Sequence, residues 1–516
     1  MNDPIDRLPL WDLVEHRATA SPAARCAVDE HDHELTYGAL RDRAERVAAA
    51  LAARGVARDT PVAWILPTWI EAFVVTAALA RLGALQVPII PILREREVGF
   101  ILRRTGARHV IVPGNWRGVD YPALARAAAA EAGVDDLELL VVERTLPEAD
   151  PVTLAPWTDV RPESGAMPLR WIFFTSGTTS EPKGVKHTDS TVAACAHRLN
   201  VRFDMQADDR NALVFPVTHI GGISWFMGGL MAGYSHILVE AFSAEGSCAV
   251  LRRHGVTVAG SGPAFWMAYV AEQRRHPAGE RTFPQLRALV GGGAAKPPTL
   301  DAEVRQVLGV PLVTGYGSTE CPAVAHSGVH DPHDVLLTDG YALDDAEIAI
   351  AAPDGTLLPP GEVGEIVVRG PMLFLGYLDP AHDVGAFDAE GRFRSGDLGM
   401  LDERGLLRVT GRVKDIIIRK GENISAKEVE DVLHLHPAVA DVAAVPLPDR
   451  ERGELCCAVI VLRDGASAPS LDDLAEHCAS RKLARQKIPE RVEVVDALPR
   501  NSTGKILKQV LVDRFA

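Results

Sequence analysis

Residues 173–184 read FFTSGTTSEPKG, and the reading of this stretch decides the fold. An apolar run gives way at once to hydroxyls, glycines and one lysine. Such a segment suits an anion. Successive N–H groups in a glycine-bearing turn form a concave positive nest, Thr and Ser hydroxyls add donors, and Lys183 supplies a point charge. A nucleotide's phosphate chain is the natural occupant. The Walker pattern G-x-x-x-x-G-K-[ST] does not fit, because Pro182 precedes the lysine and Gly184 follows it. From these residues alone two readings stay open, a phosphate loop of another kind and a polar surface turn.

Outward from this stretch, short apolar runs recur as HVIVP, LELLVV, WIFF, ALVF, HILVE, VTVAG, LRALVGG and VPLVTGYG. Helical patterns such as STVAACAHRL and TLDAEVRQVL separate most of them. Strand and helix in alternation predict an α/β protein with parallel sheets and helices on both faces. Ligands gather at the carboxyl ends of strands in such sheets. Gly177, Gly291 to Gly293, and Gly315 with Gly317 all fall at that point. Nearer the start, LTYGALRDRAERVAAALAARGV places Leu40, Ala44, Val47, Ala48 and Leu51 on one helical face, with Thr36 as cap and Gly55 as stop. Beyond about residue 340 the texture turns hairpin-like. From roughly residue 413 a small α+β unit follows, about a hundred residues and large enough for its own core.

The bulk composition narrows the function. At 516 residues the chain exceeds one core-sized unit. A net charge of −15 argues against nucleic acid as the main partner, while leaving room for a local basic pocket. Seven scattered cysteines without a C-x-x-C pair favour reduced thiols over disulfides or zinc. The acidic start MNDPIDRLPLWDLVEHR does not resemble a signal peptide. The most apolar region, PVAWILPTWIEAFVVTAALARLGALQVPIIPIL, is broken by Glu71, Arg81 and prolines, so it reads as strand, helix and strand rather than a membrane span of about 20 residues. A cytoplasmic protein is expected.

Five segments, TSGTTSEPKG, GYGSTE, SGDLG, GRVKDIIIRKGENIS and PRNSTGK, occur in that order. Together they resemble the signature set of the adenylate-forming superfamily: acyl-CoA synthetases, peptide-synthetase adenylation domains and beetle-type luciferases. The likeness is greatest to acyl- and aryl-CoA ligases. It runs from the 35–56 helix to Lys505. It implies a large N-terminal AMP-binding domain, 1–411, of parallel-rich sheets flanked by helices plus a β-barrel-like subdomain. A small mobile α+β C-terminal domain, 412–516, would carry the catalytic lysine. The implied reaction lets a carboxylate attack the α-phosphate of ATP, giving acyl-AMP and pyrophosphate, and then passes the acyl group to the CoA thiol. Charge crowds at the reacting phosphorus, so catalysis is mostly positioning and electrostatic stabilisation.

The same resemblance assigns residues. Thr175, Ser176, Gly177, Thr178, Thr179 and Lys183 would hold the pyrophosphate, with Ser180 standing where many relatives have glycine. Gly292, Gly293 and Ala294, after Gly291, would let adenine lie flat on the backbone. In GYGSTE, Gly315 and Gly317 flank Tyr316 against adenine, with Thr319 on phosphate and Glu320 on Mg²⁺, aided by Thr175; a carboxylate suits that hard ion. Asp397 would accept the ribose hydroxyls and Arg412 contact ribose and phosphate. Lys505 would bridge the substrate carboxylate and the α-phosphate, and Lys414 would be the hinge. Lys420 would reach the site after the small domain rotates, so that one pocket excludes water and then admits a thiol. Arg500 has no evident role.

An amino-acid-activating relative would carry an aspartate after its GGISWF counterpart to hold the α-ammonium. Here FPVTHIGGISWFMGGLMAGYSHILVEA has His219 and no acid before Glu240, which resembles the P-x-x-H-x-x-G segment of acyl- and aryl-CoA ligases. His219 reads equally as a packed core histidine. Gly221, Gly222, Trp225 and Gly291 would line a pocket for a hydrophobic acid, aliphatic, alicyclic or aryl. The partners implied are that acid, ATP and CoA, with a homodimer left open. An acyl-AMP ligase or adenylation enzyme loading an acyl-carrier protein shares almost every motif and remains the alternative.

Overall fold

The apolar runs become strands and the periodic stretches between them helices. In the computed structural model, which describes residues 5–158, 167–175, 182–277, 279–294, 296–419, 422–450, 453–501 and 504–516, the most apolar region forms strand Pro61–Trp64, helix Ile70–Leu82 and strand Leu85–Pro88. The two strands pair in parallel, Val62 opposite Gln86, which requires the intervening crossover helix. Among the described residues no helix is long and apolar enough to cross a membrane. The helix near the start spans Tyr37–Ala52, and the Thr36 hydroxyl accepts from the Ala39 N–H at 3.1 Å. Leu40, Ala44, Val47, Ala48 and Leu51 are buried as their spacing predicts. This helix stops at Ala52, and Gly55 with a φ of +89° turns the chain just beyond it.

Two large sheets carry the N-terminal part. In the nine-stranded sheet the central strands Leu312–Tyr316, Ala288–Gly292, Val258–Ala259, Arg210–Leu213, Ser235–Leu238 and Arg25–Asp29 run parallel. In the six-stranded sheet Leu169–Thr175 lies parallel to Leu85–Pro88, and Lys183–Thr188 closes the edge antiparallel to Leu169–Thr175. Helices cover both faces, as an all-apolar parallel strand demands. The expected barrel-like unit is a four-stranded antiparallel sheet, Glu347–Ala351, Gly364–Arg369, Phe393–Leu401 and Leu407–Arg412, whose edge strands are not paired with each other among the described residues.

The last part of the chain is built on the long hairpin of Val439–Asp449 and Gly453–Leu462. The period of two sorts its residues onto opposite faces. Val442, Ala444, Cys456, Ala458 and Ile460 pack with Val429, Leu433 and Leu474 of two helices. Ala443, Val445, Cys457 and Val459 pack with Leu511 of the C-terminal helix Lys508–Phe515. Adjacent Cys456 and Cys457 therefore enter different cores, and all seven cysteines are free and buried.

Candidate active site

The hairpin that carries the phosphate-loop motif has its base in the six-stranded sheet. Thr175 ends one strand, Lys183 begins the next, and the two face each other across the ladder. Ser176, Gly177, Thr178, Thr179 and Ser180 lie outside the described residues. A stretch absent from the motif reading, 374–378, runs beside the second strand. The Leu375 N–H donates to Lys186 O at 2.9 Å, and the Leu378 N–H donates to Gly184 O at 2.7 Å. A Cβ on Gly184 would stand 2.9 Å from Leu378 Cβ, so the glycine admits this stretch. Tyr377 then reaches both charges of the site. Its hydroxyl donates to Glu320 Oε1 at 2.8 Å, and Lys183 Nζ lies 4.7 Å from its ring centroid. The available signal was the aromatic pair Phe374 and Tyr377 in a turn-like stretch.

The two glycine clusters meet at the carboxyl ends of neighbouring parallel strands, Gly291 opposite Thr314 and Gly292 opposite Gly315. Their causes differ from the expectation that adenine needs the space. A Cβ on Gly291 would stand 2.2 Å from Ser261 O, and one on Gly292 2.5 Å from Gly315 O. Both are glycine because backbone approaches backbone. Gly293 alone of the three opens onto free space, with a φ of +82°. Tyr316, buried, donates its hydroxyl to Asp397 Oδ2 at 2.7 Å, and Arg412 Nε donates to Asp397 Oδ1 at 2.6 Å. The antiparallel register brings Asp397 and Arg412 face to face. Thr319 enters through its carbonyl, which His187 Nε2 meets at 2.8 Å. Burial pushes His187 down to about 4, so it is neutral and its Nε2–H donates to that carbonyl.

Lys505 joins this group from the far end of the chain. Burial and the Arg412 guanidinium lower its pKa, while the carboxylates of Asp397 and Asp415 pull the other way. Its turn is tightly held. The Asn501 N–H donates to Lys505 O and the Lys505 N–H to Asn501 Oδ1, both at 2.9 Å. Gly504 has a φ of +85°, and a Cβ on it would meet Ala264 Cβ at 3.3 Å, at the start of helix Pro263–Arg275. Arg500 has a place after all: it donates to Gly504 O at 2.5 Å and pairs with Asp441 at 2.6 Å. Lys414 is exposed in the short turn Val413–Asp415. Lys420 lies outside the described residues.

His219 caps helix Ile220–Ala232, its Nδ1 accepting from the Gly221 N–H at 3.1 Å. Burial pushes its pKa down to about 4, consistent with a neutral ring that accepts at Nδ1. The pocket expected around it needs correction. Trp225 is buried, stacked on Phe203 at 5.7 Å and edge-on to Tyr234, which assigns it to the core. A Cβ on Gly222 would stand 2.6 Å from Val217 Cα, and Gly228 and Gly229 are closed by the Tyr234 hydroxyl and by His236. Like Gly291, these glycines let elements approach each other. Gly221 is the least crowded of them: a Cβ there would meet the Phe215 ring at 3.5 Å, though His219 Nδ1 closely at 3.2 Å.

Residues 14–378 match the family model of the AMP-binding enzyme, and 428–505 that of the AMP-binding enzyme C-terminal domain. The chain belongs to the AMP-binding enzyme family. It is 32% identical to the medium-chain fatty-acid–CoA ligase of Escherichia coli (strain K12), over 97% of this chain and 89% of that protein. With the 4-chlorobenzoate–CoA ligase of an Arthrobacter species it shares 31% identity over 97% of this chain and 94% of the other. The ATP-bound crystal structure of MatB from Rhodopseudomonas palustris is 26% identical, covers 98% of this chain and 99% of its own, and superposes with a TM-score of 0.85. Apo MatB, 25% identical with the same coverage, reaches 0.76. Like its relatives, this AMP-binding enzyme is an acid–thiol ligase: it joins a carboxylic acid to CoA through an acyl-adenylate at the expense of ATP.

A divalent ion in this AMP-binding enzyme would meet hard oxygen donors. Among the described residues Glu320 Oε1 takes the Tyr377 hydroxyl and Oε2 has no hydrogen bond. The one constellation of three potential metal ligands among the described residues is elsewhere, at Glu30, His31 and Glu240. There Arg144 and the Trp69 indole already engage Glu240. At Glu320 one carboxylate without a protein cage fits Mg²⁺, which keeps waters and takes its remaining ligands from substrate phosphates.

Proposed function

We propose that this ligase activates a hydrophobic carboxylic acid, aliphatic, alicyclic or aryl, and passes it to free CoA. The observation that carries this reading is the state of the nearest acid. No Asp or Glu occurs from His219 to Val239. Glu240, next in sequence, is held by Arg144 at 2.6 Å and by the Trp69 indole. An α-ammonium in this region would have no counter-charge, whereas an apolar acyl group is served by Phe215, Gly221 and a neutral His219.

In the first step a carboxylate oxygen attacks the α-phosphorus and pyrophosphate leaves. We assign the pyrophosphate to Thr175, the loop 176–179 and Lys183, the adenine to Tyr316 and Gly293, and the ribose to Asp397 and Arg412. Lys505 offers its ammonium to the carboxylate and the α-phosphate. Mg²⁺ on Glu320, with Thr175 as further oxygen donor, would screen the phosphate charge. In the second step the CoA thiol attacks the acyl carbon and AMP leaves. We take 1–411 and 412–516 as the units that rotate between the steps, about a hinge at Lys414, with Lys420 serving the second. The closer likeness to ATP-bound than to apo MatB, and the packing of Gly504 near Ala264, support an adenylating arrangement.

The test is pyrophosphate release over a panel of acids with and without CoA. Benzoate-like, cyclohexyl or medium-chain acids should drive release, and CoA should then yield a thioester. Standard α-amino acids should be slower by about a thousandfold or more, since an unpaired buried ammonium costs several kcal/mol at about 1.4 kcal/mol per tenfold. Rapid turnover of an α-amino acid, or acyl-adenylate that accumulates unchanged with CoA present, refutes this reading and favours a carrier-protein acceptor.

A further inference from the structure

Tyr377 stands between the two opposite charges that the nucleotide site most needs to keep apart. Its hydroxyl donates to Glu320 Oε1 at 2.8 Å, and the Lys183 ammonium lies over its ring at 4.7 Å from the centroid. Among the described residues no ion pair joins Lys183 to Glu320. A cation on a long flexible stem near a carboxylate would ordinarily close on it, and each charge would then be spent before ligand arrives. An aromatic face attracts the cation without neutralising it. A phenol donates one directed hydrogen bond to the carboxylate and leaves the second oxygen available. One side chain thus satisfies both charges in different ways.

Its placement is rigid. The ring is buried, edge-on to Phe374 at 5.0 Å and to His382 at 5.8 Å. Its backbone N–H donates to Asp383 Oδ1 at 2.8 Å. Neighbouring Gly376 accepts from the Lys186 N–H, and Phe374 donates its N–H to Glu320 O at 2.9 Å. The stretch carrying Tyr377 is therefore bound both to the strand that begins with Lys183 and to the backbone of Glu320.

We propose that Tyr377 is the positioning residue that holds Lys183 and Glu320 apart, keeping the ammonium for phosphate and the carboxylate for a metal ion before nucleotide binds. The proposal rests on the roles given above to Lys183 and Glu320, and its test separates the two. The probe is ATP in EDTA, bound to the full chain and followed by calorimetry, so that no metal and no turnover enter. Y377L removes ring face and hydroxyl together and lets Lys183 close on Glu320. Metal-free ATP binding should weaken by about fivefold or more, on the scale of one ion pair made in competition. E320Q in the same chain removes the competitor, so the Y377L/E320Q double variant should bind metal-free ATP within about twofold of E320Q alone. Y377F keeps the ring face and should stay within about twofold of the parent. A purely structural tyrosine would give loss in Y377L that E320Q does not repair. That result overturns the proposal, as does unaltered binding by Y377L, or a loss in Y377F equal to that in Y377L. Whether Glu320 ligates metal is read independently, from the Mg²⁺ dependence of E320Q by itself.

Discussion

Arg500 offers the sharpest test of how the turn that carries Lys505 is held. Arg500→Ala removes the donor to Gly504 O at 2.5 Å and the ion pair to Asp441 at 2.6 Å, and leaves the Asn501–Lys505 bonds in place. A hydrogen bond from a charged donor contributes roughly 1.5–3 kcal/mol. The Arg500 and Asp441 side chains are 25% and 22% exposed, so screening trims this to about 1–2 kcal/mol. At about 1.4 kcal/mol per tenfold, the fraction of molecules with the turn closed around Lys505 falls, and adenylation slows about five- to thirtyfold. The assay is single-turnover pyrophosphate release, set beside thioester formation from supplied acyl-adenylate, a step in which the proposal gives Lys505 no part. Asp441→Asn keeps the bond to Gly504 and should cost less than Arg500→Ala. Equal slowing of both half-reactions by Arg500→Ala, or no slowing of either, would refute the idea that this guanidinium serves the Lys505 turn.

Lys505→Ala should slow adenylation by about a hundredfold or more, the scale for losing one preorganised donor at a developing charge, and spare thioester formation; Lys420→Ala should do the reverse, checked by the same two half-reaction assays. Glu320→Gln should raise the Mg²⁺ concentration for half-maximal adenylation about tenfold, and an unchanged Mg²⁺ titration would remove Glu320 as a ligand. Burial pushes His187 and His326 down to about 4 and His236 to about 3. Their folded values lie below the ordinary 6.5, so the unfolded chain binds more protons and stability is lost as pH falls from 6.5 towards 4, at about 1.4 kcal/mol per pH unit for each imidazole. Thermal melting should therefore shift downward from pH 7 to pH 5, and a flat profile would contradict neutral burial of these rings.

Much of this enzyme was legible because its signals are local. The period of two in VADVAAVPL and LCCAVIVL sorts residues between two cores, and Thr36 followed by apolar spacing yields a capped helix. Glycines were misread for the opposite reason. A pair such as Gly221 and Gly222 looks like space held for a ligand, yet what would strike a missing Cβ is a tertiary fact: Val217 for Gly222 and Ser261 for Gly291. Arg500 was left without a role, and Tyr377 escaped notice, for a related reason. Their partners, Asp441 and Glu320, are remote in sequence, and no spacing rule links residues 59 or 57 positions apart.

Asp397 shows how such pairings order the site. Both of its oxygens are taken, Oδ1 by Arg412 and Oδ2 by the Tyr316 hydroxyl. A ribose that donates its two hydroxyls to this carboxylate has to share or displace those donors. Tyr316 sits at the end of its parallel strand, buried in the large sheet, so its ring has little freedom to leave. Arg412 ends its strand, and the short turn Val413–Asp415 begins at the next residue. Under the proposed assignment of the ribose to Asp397, the guanidinium would be displaced toward phosphate or solvent, and its share, beside burial, in lowering the Lys505 pKa would move with it. Nucleotide occupancy and the charge around Lys505 would then be coupled through the Arg412–Asp397 ion pair.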